Sequence, residues 1–260
     1  MPFAHSGGAR IYYEVHGEGP WLVLAHGAGG NHLSWWQQVP AFRESHRCLL
    51  LDQRGFGLSG AAADPSLLAA DLLAVLDHAG AERATLVGQS MGGWAVAGAA
   101  ALAPERAEGL LLAGTLGGLH DDGILADLAA HHRGVPGFDP HLALAPAFPA
   151  EDPARTFLYD EIAGLSAPPT ARFLQELLAL RVRPDAIHCP VCFVAGAQDQ
   201  LFPLDLIRRA HARMPGAELS VVAEAGHSAY FERPAEFNRA LAAFLERIRG
   251  HRKVGSGDRH

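Results

Sequence analysis

The sequence predicts an α/β fold: a doubly wound, mostly parallel sheet of about eight strands with helices on both faces. Three observations indicate this class. Short apolar runs recur along the 260-residue chain, as in the strands of a parallel sheet that helices cover. Segments of helical periodicity alternate with these runs. Glycine-rich corners follow several of them, where such sheets bind ligands.

Seven segments are predicted to be strands, because they alternate in polarity or are apolar throughout. They are 9–15, 21–25, 47–51, 84–87, 109–113, 191–195 and 218–223. Helical patterns lie between them, over 65–79, 94–103, 204–214 and 235–249. Strands and helices therefore alternate over most of the chain.

One region, residues 116–187, interrupts this alternation. It contains eight prolines, a helical pattern over 170–180 and no predicted strand. Long inserts of this kind in compact domains are usually functional. We therefore expect a helical cap over 116–187, inserted late in the sheet of a core formed by 1–115 and 188–250. The polar segment 251–260 is expected to be a disordered tail.

Composition excludes several classes of protein. The net charge of −7, from 21 basic and 28 acidic residues, disfavours a nucleic-acid partner. We find no apolar run long enough for a membrane span and no secretory signal at the N-terminus. The expected protein is a monomer or homodimer.

The three cysteines do not suggest a disulfide framework, so a reduced, cytoplasmic setting is expected. Cys189 and Cys192 form a CPVC stretch inside a predicted strand. Residues three apart on a strand point to opposite faces, so both are interpreted as core residues. The 15 histidines show no metal-ligand spacing. No metal site and no organic cofactor are predicted.

The stretch LVGQSMGGW, residues 86–94, has the pattern of a strand, a tight turn and a helix, with Ser90 at the bend. A serine hydroxyl needs a base to remove its proton and an acid to orient that base. Asp199 and His227 each follow an apolar strand. Because the carboxyl ends of parallel strands share one edge of a sheet, these three side chains are candidates for a catalytic triad.

Hydrolysis through an acyl-enzyme also needs two donors for the oxyanion. The backbone N–H of Met91, directly after Ser90, is one candidate. The second is expected in the loop after the strand 21–25, where Ala28 follows His26 and Gly27.

Five motifs together carry a resemblance to the α/β-hydrolase family, over about residues 10–250. They are HGAGG (26–30), DQRGFGLS (52–59), GQSMGG (88–93), GAQD (196–199) and GHSAYFERP (226–234). The order Ser90, Asp199, His227 is the order of this family. The resemblance implies a serine hydrolase of the esterase-like branch, with Ser90 on a strained, positive-φ turn. It also implies that Asp52 and Arg54 form a structural pair.

The predicted function is hydrolysis of small to medium carboxylic esters, with lactones as a further substrate class. Two alternatives remain open. One is a C–C bond hydrolase of ring-cleavage products, although such enzymes commonly carry a tryptophan where this chain has Ser228. The other is a non-hydrolytic lyase or ligand receptor with the same fold.

The predicted substrate-binding residues lie in loops near the triad or in the cap. They are Asn31, His32, Trp94, Phe138 and Phe202. His26 is expected to shape the oxyanion loop through hydrogen bonds.

Overall fold

The computed structural model describes residues 2–134 and 139–255, the last five by backbone alone. An eight-stranded sheet forms its centre. The strands are Phe3–Ser6 (β1), Ala9–His16 (β2), Trp21–Ala25 (β3), Arg47–Leu51 (β4), Ala84–Gln89 (β5), Ala107–Ala113 (β6), Val191–Gly196 (β7) and Glu218–Val222 (β8).

Helices connect and cover these strands. They are Gln38–Phe42 (α1), Leu68–Ala79 (α2), Met91–Leu102 (α3), Asp122–His131 (α4), Phe148–Glu151 (α5), Pro153–Gly164 (α6), Ala171–Ala179 (α7), Leu204–Ala212 (α8), Ala229–Glu232 (α9) and Pro234–Gly255 (α10). Short 3₁₀ turns cover His32–Trp35, Pro65–Leu67, Pro104–Arg106, Pro140–Ala143 and Pro184–Ala186. In the described part of the chain no helix is long and apolar enough to cross a membrane.

The strand order is β1-β2-β4-β3-β5-β6-β7-β8, and the six strands from β4 to β8 in this order are parallel. After β3 the chain proceeds first to β4 on one side and then to β5 on the other. A reversal of this kind opens a crevice at the carboxyl ends of the two strands that flank it. The loops that follow β3 and β5 therefore border a site.

Alternate residues of each central strand enter two separate cores. In β3, Val23 and Ala25 pack with α2, α3 and α8, whereas Leu22 and Leu24 pack with α1 and α10. Both faces of the sheet are therefore covered by helices. The predicted doubly wound α/β class is confirmed.

The first strand, β1, was not predicted. It pairs antiparallel with β2 through a two-residue turn at Gly7 and Gly8, which have φ of 51° and 78°. Glycine adopts these angles without steric cost, and a Gly-Gly pair is a hairpin signal. The four residues of β1 are too few to show alternation by themselves.

Several helix boundaries differ from the prediction, and two of them are informative. Helix α3 begins at Met91 rather than Trp94; its first turn was not predicted because Gly92 and Gly93 hide the helical pattern. Helix α10 continues to Gly255, so the tail predicted from residue 251 begins too early in the chain. Residues 251–254 contain no proline or glycine that would end the helix. Residues 256–260 lie outside the described residues. The segment between β6 and β7, for which a cap is predicted, contains α4 to α7.

Candidate active site

Ser90 lies on the turn between β5 and α3, with φ of 50° and ψ of −120°. Its N–H donates to the Ala113 carbonyl at 2.9 Å. Its own carbonyl accepts from the Gly93 N–H at 2.8 Å and from Thr115 Oγ1 at 2.7 Å. These bonds hold a backbone conformation that a residue with a side chain adopts only under constraint.

Glycines on either side make this turn possible. A Cβ at Gly88 would overlap the Gly92 carbonyl, and a Cβ at Gly92 would overlap the Ala25 carbonyl of β3. A Cβ at Gly93 would overlap Thr115. The short motif around Ser90 is therefore a packing requirement of this turn.

Asp199 and His227 meet at the same edge of the sheet. His227 Nδ1 lies 2.9 Å from Asp199 Oδ2, and the two side chains are 3% and 0% exposed. Asp199 Oδ1 accepts the N–H groups of Leu201 and Phe202, both at 2.8 Å. The carboxylate thus has partners on both oxygens and holds the imidazole by one nitrogen.

The other nitrogen, His227 Nε2, is buried and has no hydrogen-bond partner among residues 2–134 and 139–255. Ser90 and His227 line the same cavity. In an empty site the contact between nucleophile and base is often long and tightens only when substrate binds. A ring nitrogen free to accept a proton is what a general base requires.

Glu232 connects the His227 loop to the segment between β6 and β7. One carboxylate oxygen accepts the Gly226 N–H at 2.9 Å and the other accepts the Ala145 N–H at 2.7 Å. Burial raises the pKa of Glu232 to about 7, against the lowering effect of these two donors. The Ser228 N–H also donates to the Ala143 carbonyl at 2.8 Å. The position of His227 therefore depends on residues 143–145.

The loop after β3 is shaped by His26, as expected. His26 Nδ1 lies 2.7 Å from the Gly27 carbonyl, and His26 Nε2 accepts the Gln53 N–H at 3.0 Å. Burial lowers the pKa of His26, so the ring is neutral and donates through Nδ1. In a trans peptide the N–H points opposite to the carbonyl. The Ala28 N–H is therefore directed away from His26.

Met91 is the first residue of α3, where N–H groups have no partner within the helix and the helix dipole is positive. Both Ala28 and Met91 line the cavity that contains Ser90. Their N–H groups remain the predicted donors to an oxyanion.

The cavity has a volume of about 220 Å³. Its wall away from the triad is largely apolar. The residues that line it are Gly27, Ala28, Gln89, Ser90, Met91, Trp94, Leu128, His132, Ala143, Tyr159, Leu174, Leu177, Leu178, Leu201, Phe202 and His227.

A smaller cavity of about 40 Å³ shares Gly27, Ala28, Gln89 and Tyr159 with it. The Tyr159 hydroxyl lies 3.0 Å from Ser228 Oγ. Two spaces of different size and polarity thus meet beside Ser90.

Of the five predicted substrate-binding residues, Trp94 and Phe202 line the larger cavity. Phe202 also packs on the His227 ring, with centroids 5.4 Å apart. Phe138 lies outside the described residues. Asn31 lines neither cavity: its Nδ2 donates to the Ile162 carbonyl at 2.8 Å and its Oδ1 caps the 3₁₀ turn that follows.

His32 also lies outside both cavities, and its role in substrate binding stays a prediction. His32 Nδ1 lies 2.8 Å from Asp52 Oδ1. The predicted pair of Asp52 and Arg54 is wrong, because Arg54 binds Asp71 through two hydrogen bonds, one of them at 2.8 Å. The sequence could not reveal that Arg54 pairs with Asp71 instead of Asp52, because Asp71 lies on a different element, α2.

Sequence reasoning missed most of the apolar wall. Leu174, Leu177 and Leu178 lie on one face of α7 and form part of it. Their spacing of three and four residues is a signal for one helix face. His132, at the C-terminal cap of α4, left no such signal.

The two cysteines of the CPVC stretch differ. Cys192 is buried in β7, but Cys189 lies before the strand and is half-buried. Burial raises the pKa of their thiols, to about 12 for Cys192 and about 11 for Cys189. Within the described ranges no group of side chains is arranged to hold a metal ion.

Curated relatives cover nearly the whole chain. It is 32% identical to the "Putative carbamate hydrolase RutD" of Azorhizobium caulinodans, over 95% of this chain and 99% of that protein. It is 28% identical to the 3-oxoadipate enol-lactonase 2 of Acinetobacter baylyi, over 88% of this chain and 90% of that one.

A solved structure described as "Est816 as an N-Acyl homoserine lactone degrading enzyme" superposes with a TM-score of 0.76. It is 25% identical, and the alignment covers 94% of this chain and 100% of that one. The model of the alpha/beta hydrolase family matches residues 22–240. The strand order, the turn at Ser90 and these matches agree, and this chain therefore belongs to the alpha/beta hydrolase family.

Proposed function

We propose that this hydrolase cleaves carboxylic esters of small to medium acyl groups, lactones included, through Ser90, His227 and Asp199. One observation carries the proposal. His227 holds buried Asp199 by Nδ1, its Nε2 has no hydrogen-bond partner among the residues that the structure describes, and it lines the same cavity as Ser90. This combination is what activation of a serine hydroxyl requires.

In the first half-reaction, His227 Nε2 takes the Ser90 proton while Oγ attacks the acyl carbon. The N–H groups of Ala28 and Met91 stabilise the negative oxygen of the tetrahedral intermediate. The bond from the acyl carbon to the alkoxy oxygen then breaks, and His227 gives its proton to the leaving alcohol. Asp199 stabilises the imidazolium during this step.

In the second half-reaction, His227 takes a proton from water, and the resulting hydroxide attacks the acyl carbon of the acyl-enzyme. The bond to Ser90 Oγ breaks, and His227 returns the proton to Oγ. The carboxylic acid leaves. These steps use only side chains and backbone groups of this chain, and water.

The two cavities are consistent with an ester that has a hydrocarbon acyl group. The larger one has an apolar wall formed by residues such as Trp94, Leu174 and Phe202, which suits a hydrocarbon acyl group. The smaller one, beside the oxyanion loop, is lined in part by Ser34 and Tyr159. It suits a short, polar alcohol portion. A lactone places both portions in one ring across the same boundary.

The test is turnover of p-nitrophenyl esters of increasing chain length, with Ser90→Ala as the matched variant. We expect Ser90→Ala to lose about 10⁴-fold or more in kcat with an unchanged circular dichroism spectrum. Equal turnover by the two proteins would overturn the mechanism. If no ester is cleaved while a fluorophosphonate probe labels Ser90, the C–C bond hydrolase and receptor alternatives gain support.

A second candidate is carbamate hydrolysis, which the likeness to the RutD protein favours. The same nucleophile would attack the carbamate carbon. A simple carbamate has no hydrocarbon acyl chain, so it would leave most of the 220 Å³ cavity unfilled. Comparison of kcat/KM for ethyl carbamate and ethyl hexanoate separates the two, and we expect the ester to be preferred.

A further inference from the structure

Three consecutive residues between β6 and β7 are hydrogen-bonded to the loops that carry Asp199 and His227. They are Ala143, Leu144 and Ala145, and we call residues 143–145 the strap. All three are buried, with at most 7% of their surface exposed. The hydrolysis scheme above uses no group of the strap, so these contacts need a separate explanation.

The first and last residues of the strap are bonded to the loop after β8. The Ala143 carbonyl accepts the Ser228 N–H at 2.8 Å. The Ala145 N–H donates to Glu232 Oε2 at 2.7 Å, and Oε1 of the same carboxylate accepts the Gly226 N–H at 2.9 Å. The backbone is therefore held on both sides of the proposed base, on one side by the strap and on the other by the carboxylate that binds the strap.

Gly226 allows the strap to lie this close to the loop. A Cβ atom at Gly226 would overlap the peptide group between Leu144 and Ala145. Glycine is the residue that fits where two backbones approach so closely. Because close-packed groups transmit a displacement to their neighbours, a shift of the strap also moves the loop that carries His227.

The middle residue of the strap is bonded to the loop after β7. Gln200, which directly follows Asp199, donates from Nε2 to the Leu144 carbonyl at 3.0 Å. The two loops are also bonded directly, by the Gln198 N–H to the Ala225 carbonyl at 2.9 Å, before the chain reaches either triad residue. The strap adds a second connection, on the far side of Asp199.

We propose that Gln200 and Glu232 are positioning residues, which act through the strap to fix Asp199 and His227 relative to each other. This inference rests on the proposed function, because it assumes that His227 is the base and that Asp199 orients it. Gln200 and Glu232 line neither of the two cavities described above, so they affect the reaction without contact to the substrate.

The proposed reaction is sensitive to small changes in this geometry. A displacement of about 1 Å in a catalytic group can lower the rate by about 10²-fold. The bond from His227 Nδ1 to Asp199 Oδ2, at 2.9 Å, joins two loops that leave different strands. A connection between these loops beyond the strands limits how far the two side chains move apart.

The first test measures kcat and KM of Gln200→Leu and Glu232→Gln for the ester that the wild type cleaves best. Burial raises the pKa of Glu232 to about 7, so the assays are run at pH 8.5, where both of its oxygens accept hydrogen bonds. A partial loosening of the strap should lower kcat by about tenfold, with KM little changed. Glu232→Leu, which loses both acceptors, should lose more activity than Glu232→Gln, which keeps one.

The double variant Gln200→Leu with Glu232→Gln tests whether the two residues act through the same strap. If they do, the strap is already loosened by one change, and the combined loss of kcat is smaller than the product of the single losses. Losses that multiply would mean that each residue acts only on its own loop, and would overturn the role of the strap.

Gln198→Leu and Glu224→Gln are the matched controls. Both residues are exposed and lie in the same two loops as Gln200 and Gly226. They should keep the kcat of the wild type, and urea denaturation checks that every variant is folded under the assay conditions. If the wild type cleaves esters and both single variants match its kcat, the inference is overturned and the proposed function stands.

A second readout does not depend on turnover. The Nδ1 proton of a histidine bonded to an aspartate gives a ¹H NMR signal downfield of the backbone amides, and its loss in His227→Gln assigns it. In Gln200→Leu and Glu232→Gln we expect this signal to shift towards the amides or to broaden by exchange with water. If no ester is cleaved, this measurement decides: a signal unchanged in both variants, or absent from the wild type, overturns the inference.

Discussion

Two histidine–aspartate pairs lie at the same edge of the sheet, and their local chemistry is alike. His227 Nδ1 is 2.9 Å from Asp199, and His32 Nδ1 is 2.8 Å from Asp52. Both aspartates are fully buried and accept backbone N–H groups as well. The pairs differ in what surrounds the second ring nitrogen.

In the described part of the chain Nε2 of His227 has no hydrogen-bond partner, and His227 lines a cavity with Ser90. Nε2 of His32, by contrast, lies 3.8 Å from Glu14 Oε1. Burial by itself would lower the pKa of His32, but the hydrogen bond and charge of Asp52, together with Glu14, outweigh it and raise that pKa. A histidine that has an acidic partner on each ring nitrogen stabilises structure and has no free nitrogen with which to act as a base. A His–Asp pair thus becomes a candidate catalytic base only where the second nitrogen meets a nucleophile.

The largest expected difference between the pairs is in activity. Asp199→Asn should lower kcat by about 10⁴-fold, because an amide does not fix the required tautomer or stabilise the imidazolium. Asp52→Asn should retain most of the activity and instead lose about 1–3 kcal/mol of unfolding free energy, since buried donors lose their acceptor. Steady-state kinetics and urea denaturation of both variants measure this contrast. Equal losses of kcat would contradict it.

A smaller effect, on stability, is expected from Glu232, which holds the loop that carries His227. Glu232 has a folded-state pKa raised to about 7, so its contribution to stability is complete below its unfolded pKa of about 4.3 and is lost as the pH rises towards 7. Gln at this position does not titrate. The stability difference between wild type and Glu232→Gln should therefore be smaller at pH 8 than at pH 5.

Urea denaturation of wild type and Glu232→Gln at the two pH values measures this difference. Glu236→Gln, a change on the exposed first turn of α10, serves as the control and should show no such dependence. A pH-independent difference for Glu232 would rule out titration of its carboxyl group in this range.

The smallest effect concerns His32. Because its folded-state pKa is raised, its contribution to stability is complete below about pH 6.5, the unfolded value, and is lost as the pH rises through the folded pKa. His32→Gln should therefore destabilise the protein more at pH 5.5 than at pH 8.5, with kcat little changed. Thermal unfolding at both pH values tests this, and the reverse order would contradict it.

The sequence alone predicted the sheet, seven of its eight strands, half of the ten helices in the described residues, and the position of Ser90. These depend on local patterns: apolar runs set by burial on two faces, and glycines needed where backbones approach closely, as at Gly88 and Gly92. The order of motifs predicted that Asp199 and His227 follow strands at one edge of the sheet. In the structure His227 Nδ1 lies 2.9 Å from Asp199 Oδ2 at that edge.

Only the tertiary structure decided which polar residues pair with each other and which residues line the cavity. The pairs of Asp52 with His32 and of Arg54 with Asp71 each join elements that are distant in sequence. The partner of a side chain depends on which helices pack across the sheet. The periodicity of a single sequence indicates the buried face of an element, but it does not indicate which distant residue that face contacts. The edge of the sheet that carries Ser90, Asp199 and His227 follows from backbone geometry that local sequence dictates, whereas the cavity wall follows from packing between segments.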